Sequence, residues 1–213
     1  MGLFAKAAGY VHDRGILRRR VTALASVIAS LLPKSARVLD VGCGDGLLAQ
    51  AILVMRPDLR IEGVDVLVRA GTPIPVREFD GTRLPFADGE YDVAMAIDVF
   101  HHAENAEVLM AEMKRVARGS LVVKDHLLHG LPSELTLRAM DWVGNSRHGV
   151  RLPFNYWSET EWRSAWARCG IRPVSIHRNL NLYPFPLSVV FERDLHFIAT
   201  LEPMTRLGAA SGR

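Results

Sequence analysis

The chain is poor in cysteine: Cys43 and Cys169 are the only two among 213 residues. Two thiols cannot build a disulfide framework, which argues against a small secreted scaffold and points to a reducing, cytoplasmic setting. Long apolar runs are also missing. The longest nearly apolar stretch, Ala23 to Leu32, is far short of a membrane span. No N-terminal segment has the charge, apolar core and small-residue cleavage site of a secretory signal. Met1-Gly2 begins like a myristoylation signal, but Lys6 stands where Ser or Thr is required. Neither sign of charge dominates, the formal net charge being +3. Basic residues are not interleaved with aromatics, and no nucleic-acid-binding motif is present, so nucleic acid is not an expected partner. No segment repeats. With 49% hydrophobic and 23% charged residues, the composition is that of one globular domain over 1–213 with an ample core.

What the chain does have is a glycine turn in a telling place. Val38-Leu39-Asp40-Val41 runs straight into Gly42-Cys43-Gly44-Asp45-Gly46, and Leu47, Leu48, Ala49, Ile52 and Leu53 follow. That order reads as a buried parallel strand, a tight turn and the start of a helix. Glycines let backbone approach a ligand closely, and the helix start offers unpaired N–H groups. The turn therefore binds a small polar molecule at the carboxyl end of a strand.

The spacing narrows the ligand. A dinucleotide fingerprint needs a third glycine where this chain has Leu47. Asp40, inside the turn, suits a ligand with positive charge, such as an α-amino group or a sulfonium, better than a pyrophosphate. Asp65 ends the next predicted strand, 60–65, where a carboxylate can accept hydrogen bonds from both ribose hydroxyls.

The wider pattern alternates strands and helices, which predicts an α/β fold with a doubly wound, mostly parallel sheet. Strands are expected over 37–41, 60–65, 75–79, 91–97, 120–124, 171–177 and 188–198, the last carrying Val189, Val190 and Phe191. Helices are expected over 10–32, 45–55, 104–117 and 133–143. A fifth helix, to Arg168, opens on the capping box Ser158-Glu159-Thr160-Glu161. The proline-rich segment 71–75 replaces a crossover helix. The tail 208–213 reads as disordered. The first helix carries a stripe of Leu17, Val21, Leu24, Ile28 and Leu31. Its polar side holds Arg14, Arg18, Arg19 and Arg20, which reads as a solvated face. The sharper readings are a phosphate or membrane-surface contact, or Arg14 reaching a ligand carboxylate.

Taken in order, Val38 to Gly46, Gly63-Val64-Asp65, Phe79-Asp80, Leu84-Pro85-Phe86, Tyr91-Asp92-Val93 and Asp98-Val99-Phe100-His101-His102 resemble the class I S-adenosylmethionine-dependent methyltransferases. The likeness is to the small-molecule, type 11-like family, and it spans residues 36 to 125. It implies a Rossmann-like, seven-stranded sheet whose last strand is antiparallel. It implies S-adenosyl-L-methionine as cofactor, held by Asp40, Gly42, Cys43, Gly44, Asp65, Val66, Asp80, Gly81, Asp98 and Val99. Asp80 would face the adenine amino group, and Asp98 and Val99 the methionine moiety. Cys43, within Gly-Cys-Gly, reads as a small turn residue rather than a nucleophile.

Methyl transfer chiefly requires an aligned acceptor with a free electron pair, and a hydroxyl acceptor also needs a base. His126, after Asp125, and His102 are the candidate bases, at the ends of two strands. The aromatic and amide-rich stretch within 126–157 reads as a substrate lid, with Asn145, His148, Asn155 and Tyr156 facing the acceptor. No metal site is expected, because only Asp125-His126 bring ligand types together and neighbours on a strand end point apart. The reading is a methyltransferase acting at oxygen on a small or lipid-like molecule. Its alternatives are a binding module without catalysis and a nicotinamide-dependent oxidoreductase.

Overall fold

The computed structural model describes residues 2–145 and 154–204, with side chains over 15–142 and 154–204. In chain order the elements are α1 (Gly2–Leu31), β1 (Arg37–Val41), α2 (Leu47–Met55), β2 (Arg60–Asp65), β3 (Val76–Glu78) and β4 (Tyr91–Ile97). A single 3-10 turn (Phe100–His102) precedes α3 (Ala106–Val116) and β5 (Ala117–His126). Then come α4 (Leu131–Asn145), α5 (Glu159–Arg168), β6 (Ile171–His177), α6 (Ser188–Phe191) and β7 (His196–Pro203).

The seven strands form one sheet in the order β3-β2-β1-β4-β5-β7-β6. Pairs from β3 to β5 are parallel. β7 runs antiparallel to both β5 and β6. This is the expected α/β sheet.

Strand residues alternate between two apolar layers, as the period of two requires. Val38, Val93, Met95 and Val122 pack with Leu24 and Ile28 of α1 and Ile52 of α2. Leu39, Ala94, Leu121 and Val123 face the other way, onto Leu109 and Met113 of α3 and Trp162 and Trp166 of α5. Burial on both faces explains why these strands read as continuous apolar runs rather than alternating ones.

Local signals decide the element ends. Ser158 Oγ accepts from the Glu161 N–H while the Glu161 carboxylate accepts from the Ser158 N–H, so the capping box that opens α5 is complete. Arg56 closes α1 from outside: its guanidinium donates to the carbonyls of Ala29, Leu32 and Pro33 at 2.7, 3.1 and 3.1 Å. No helix separates β2 from β3, in keeping with the prolines there.

Three expectations need correction. α1 starts at Gly2 rather than residue 10, and Leu17 at its outer end is exposed. β5 begins at Ala117 and runs to His126, longer than 120–124. Val189, Val190 and Phe191 are not strand; they form the one-turn helix α6, and the last strand is His196–Pro203. The register gives the reason. β7 pairs with β5 from Leu121↔Leu201 to His126↔His196. Residues before His196 lie past the end of β5 and have no ladder to join. They make local helical bonds instead, Ser188 N–H to Pro184 O and Val189 N–H to Pro186 O. The tail 208–213 lies outside the described residues.

Candidate active site

At the end of β1 the backbone turns through left-handed glycines, Gly42 at φ 70°, Gly44 at φ 59° and Gly46 at φ 73°. Gly42 has no room for a side chain, since a Cβ there would stand 2.6 Å from Val99 Cγ2. Nothing stands within 4 Å of where a Gly44 Cβ would be, so a ligand can approach that face of the turn closely. Asp65, at the end of β2, fixes the turn by accepting the Gly44 N–H at 2.8 Å, and its other oxygen accepts the Leu67 N–H at 2.9 Å.

Asp40 is the outlier here. Its carboxyl is almost fully buried. Burial, and then the charge of Asp65, push its pKa up to about 8. Among the described residues it meets no cation. A bound ammonium or sulfonium would stabilise its charged form, so the turn fits S-adenosylmethionine. Burial, Asp40 and Asp65 push the Cys43 thiol up to about 12, which makes it inert as a nucleophile.

Asp80 caps its own turn: one oxygen accepts from the Thr82 N–H, the Thr82 hydroxyl and the Arg83 N–H at 2.8, 2.8 and 2.7 Å. The Arg83 and Thr82 bonds hold its pKa below the usual carboxylate range. A Cβ on Gly81 would lie 3.3 Å from Val66 Cγ1. Val66, Asp80 and Gly81 thus form one rim next to the glycine turn.

Past β4 the site changes character. Asp98 adopts φ 59° and pairs with the fully buried Lys124, while Arg20 of α1 stands 3.5 Å away. Burial opposes its charge, but Lys124 and its neighbours outweigh that and hold its pKa well below the usual range. Arg20 also lies 5.5 Å from the Tyr183 ring centre, and Arg19 donates to Asn181 Oδ1 at 3.2 Å. Two of the arginines read as a solvated face are therefore tied into the fold; the Arg14 side chain lies outside the described residues.

Asp125, buried at the end of β5, organises the 3-10 turn. It accepts the Phe100 N–H at 3.0 Å, the His126 N–H at 2.8 Å and His101 Nδ1 at 2.6 Å. Burial works against charge on His101, but Asp125 and Asp141 prevail and push its pKa up to about 10. His101 Nε2 faces Asp141 Oδ2 at 3.5 Å, and the same oxygen accepts the Tyr156 hydroxyl at 2.5 Å. The half-buried His102 ring lies 4.0 Å from that of His101. Its Nδ1 is buried without a hydrogen-bond partner. Burial and the neighbouring His101 lower its pKa.

Burial keeps His126 and His196 well below the ordinary histidine value, hence neutral. His196 Nε2 donates to the Phe191 carbonyl at 2.9 Å, so its Nδ1 is an acceptor. Two groups meet that acceptor, Lys124 Nζ at 3.4 Å and His126 Nδ1 at 3.2 Å. The other nitrogen, His126 Nε2, lies 3.5 Å from Asp98 Oδ1 and 3.9 Å from Asp141 Oδ1.

The structure thus brings Asp40, Gly42, Gly44, Asp65, Val99 and Asp98 to one end of the sheet, with His102 and His126 beside them. Of the residues expected to face the acceptor, Asn155 gives its N–H to the His101 carbonyl at 3.3 Å and its side chain to the Ala103 carbonyl at 3.4 Å. Tyr156 is spent on Asp141. Asn145 ends α4 but its side chain, like all of His148, lies outside the described residues. Sequence reasoning placed His101 and Asp125 at strand ends without giving either a role, and missed Lys124, Asp141 and His196 as parts of the site. One signal was available: Lys124-Asp125-His126 puts three polar residues at the end of an otherwise apolar strand.

Fold and site together define the class I S-adenosylmethionine-dependent methyltransferases. Residues 10–176 match the family described as methyltransferase domain, and the chain belongs to that family. The 27-O-demethylrifamycin SV methyltransferase of Amycolatopsis mediterranei is 28% identical over 145 residues, covering 60% of this chain and 53% of that one. The malonyl-[acyl-carrier protein] O-methyltransferase of Legionella pneumophila is 29% identical over 90 residues, covering 38% and 32%. The chain thus spans about half of the first relative and a third of the second. Among solved structures, the 1,6-didemethyltoxoflavin-N1-methyltransferase of Burkholderia thailandensis, with S-adenosylhomocysteine bound, aligns with a TM-score of 0.62 at 16% identity, over 93% of this chain and 84% of that one. A chain of the Haloferax volcanii complex between the Trm112 methyltransferase activator and a methyltransferase aligns with a TM-score of 0.67 at 16% identity, over 96% and 98%. These likenesses show the shared fold. No described helix is long and apolar enough to cross a membrane.

Proposed function

We propose that the chain transfers a methyl group from S-adenosylmethionine to an oxygen of a small or lipid-like molecule, with His126 as the general base. The observation that carries this reading is a neutral His126 at the end of β5, its Nε2 3.5 Å from Asp98 Oδ1 and 3.9 Å from Asp141 Oδ1. A neutral imidazole there takes the acceptor's hydroxyl proton, and the Asp98 carboxylate offsets part of what burial and Lys124 cost the resulting imidazolium. The acceptor's oxygen forms the new bond to the methyl carbon, and the electrons of the broken bond stay on sulfur. Two relatives whose names describe O-methylation are in keeping with oxygen as the acceptor atom.

The cofactor's amino and sulfonium end meets Asp40 and the Gly42–Gly44 backbone, beside Asp98 and Val99. Asp65 serves the ribose, and Val66, Asp80 and Gly81 the adenine. Cys43 packs behind this turn. Asn155 and Tyr156, within the described part of the segment 126–157, stand on the acceptor side of a single domain. Unpaired Cys43 and Cys169 suit a cytoplasmic setting.

Two measurements test this. Calorimetry with S-adenosylhomocysteine, with NADH as control, is expected to give micromolar binding of the first and none of the second. With hydroxylated small molecules screened against a labelled methyl donor, His126→Gln is expected to lower kcat about 10²- to 10⁴-fold while S-adenosylhomocysteine affinity holds. Unchanged turnover in that variant would remove the base assignment, and NADH binding would remove the methyltransferase reading.

A further inference from the structure

We propose that His101 Nε2, His102 Nδ1 and a carboxylate oxygen of Asp141 form a seat for one divalent transition-metal ion of zinc's class. The three residues come from the 3-10 turn and α4, and one ligand atom of each lies within 4.8 Å of the others. Bonds of roughly 2.0–2.2 Å to nitrogen and oxygen place two ligands about 3–4 Å apart. His101 Nε2 and Asp141 Oδ2 already stand at 3.5 Å, so small side-chain rotations close the site.

Two further observations point to an ion. His102 Nδ1 is buried and has no hydrogen-bond partner, the condition of a ligand atom whose partner is not protein. His101 is oriented as a metal ligand is: Asp125 takes its Nδ1–H at 2.6 Å and turns Nε2 outward. Asp125 is itself pinned by the N–H groups of Phe100 and His126 at 3.0 and 2.8 Å. The ion would replace the proton that His101 Nε2 presents to Asp141. Tyr156 donates to one lone pair of Asp141 Oδ2, and the second lone pair of that oxygen is left for the ion.

The neighbouring set of Asp98, His101, Asp125 and His126 has ligand spacing too, but it is already served. The Lys124 ammonium sits on Asp98, and Asp125 is filled by its three donors. The His-His-Asp set has three protein ligands with a position left over, the pattern of a catalytic rather than a structural site. That position opens toward His126 Nε2, which lies 3.9 Å from Asp141 Oδ1. An acceptor hydroxyl bound there would have its pKa lowered and would give its proton to His126. The role of the ion in transfer rests on the function proposed above; the site itself does not.

The test uses the full chain, stripped with chelator and titrated with Co²⁺, which reports imidazole and carboxylate ligation through its visible ligand-field bands. S-Adenosylhomocysteine affinity is measured on every sample as an independent readout of the fold. The expected result is one Co²⁺ per chain, displaced by Zn²⁺. Affinity should fall at least tenfold in His102→Asn and Asp141→Asn. It should fall roughly 10- to 100-fold in Asp125→Asn, which alters only the partner of a ligand. Should His102→Asn lose S-adenosylhomocysteine binding, His102→Gln replaces it. Absence of Co²⁺ binding in a chain that binds S-adenosylhomocysteine overturns the site, as does Co²⁺ binding equal in the His102 and Asp141 variants. His102-dependent Co²⁺ binding without S-adenosylhomocysteine binding upholds the site and removes the methyltransferase reading instead.

Discussion

Asp40 holds a buried carboxyl whose folded-state pKa, about 8, stands well above the ordinary Asp value of roughly 3.9. A group raised in this way favours the folded chain most at low pH, and that contribution is lost as pH climbs from about 4 to about 8. A cationic ligand reverses the preference, because it binds the ionised carboxylate and expels the proton. S-Adenosylhomocysteine affinity should therefore strengthen between pH 6 and 8, by up to about tenfold per pH unit. Calorimetry across that range checks it, and Asp40→Asn should show a flat profile and weaker binding throughout. Gly42 supplies a second prediction at this scale. Gly42→Ala meets both a left-handed backbone and the Val99 side chain, so urea unfolding should show a loss of about 2–4 kcal/mol. These residues were legible because they follow one another along a few segments. His101, Asp141 and His196 were not, because only the folded sheet brings a turn, a helix and an antiparallel strand to one point.

Among the elements, β1, β2 and β4 lie where their apolar runs put them, and β6 falls at its expected residues as a half-exposed edge strand. α5 was equally plain from its cap. Ser158→Ala removes the oxygen that holds the Glu161 N–H and should cost about 1 kcal/mol in thermal or urea unfolding. The failure at Val189 and Val190 has the opposite cause. Residue preference favours strand there, but a strand needs a neighbour, and β5 ends opposite His196. At the inner end of β5, Lys124→Met should destabilise by about 3 kcal/mol, because Asp98 would lose its closest cation while remaining largely shielded from water. Urea unfolding of the single variant beside Lys124→Met with Asp98→Asn would show whether the loss is that unpaired charge, which the double variant should largely recover.

For the whole molecule, ligand that binds only the folded state stabilises it by mass action. S-Adenosylhomocysteine at 100 times its Kd should add about 2.7 kcal/mol, raising Tm by about 5–10 °C for a chain of this size. A thermal scan with and without ligand reads this directly, and an unmoved midpoint would count against cofactor binding. The overall sheet was legible because its alternation of strands and helices runs through the whole chain. That the last strand runs antiparallel was carried by the family resemblance; its pairing between β5 and β6 shows only in the fold, since nothing in the strand itself names its neighbours.

That pairing has a consequence for the order in which the molecule comes into being. A chain emerging from the ribosome presents β1 to β4 first, and with them Asp40, the glycine turn, Asp65 and Val99. Its last described strand, β7, is not laid on an edge but inserted between β5 and β6, and β6 pairs with no other strand. The same strand brings His196, whose imidazole stands 3.2 Å from that of the proposed base His126. Newly made chains would thus acquire a place for the cofactor well before they could move a proton, and chemistry would wait for the final strand to arrive.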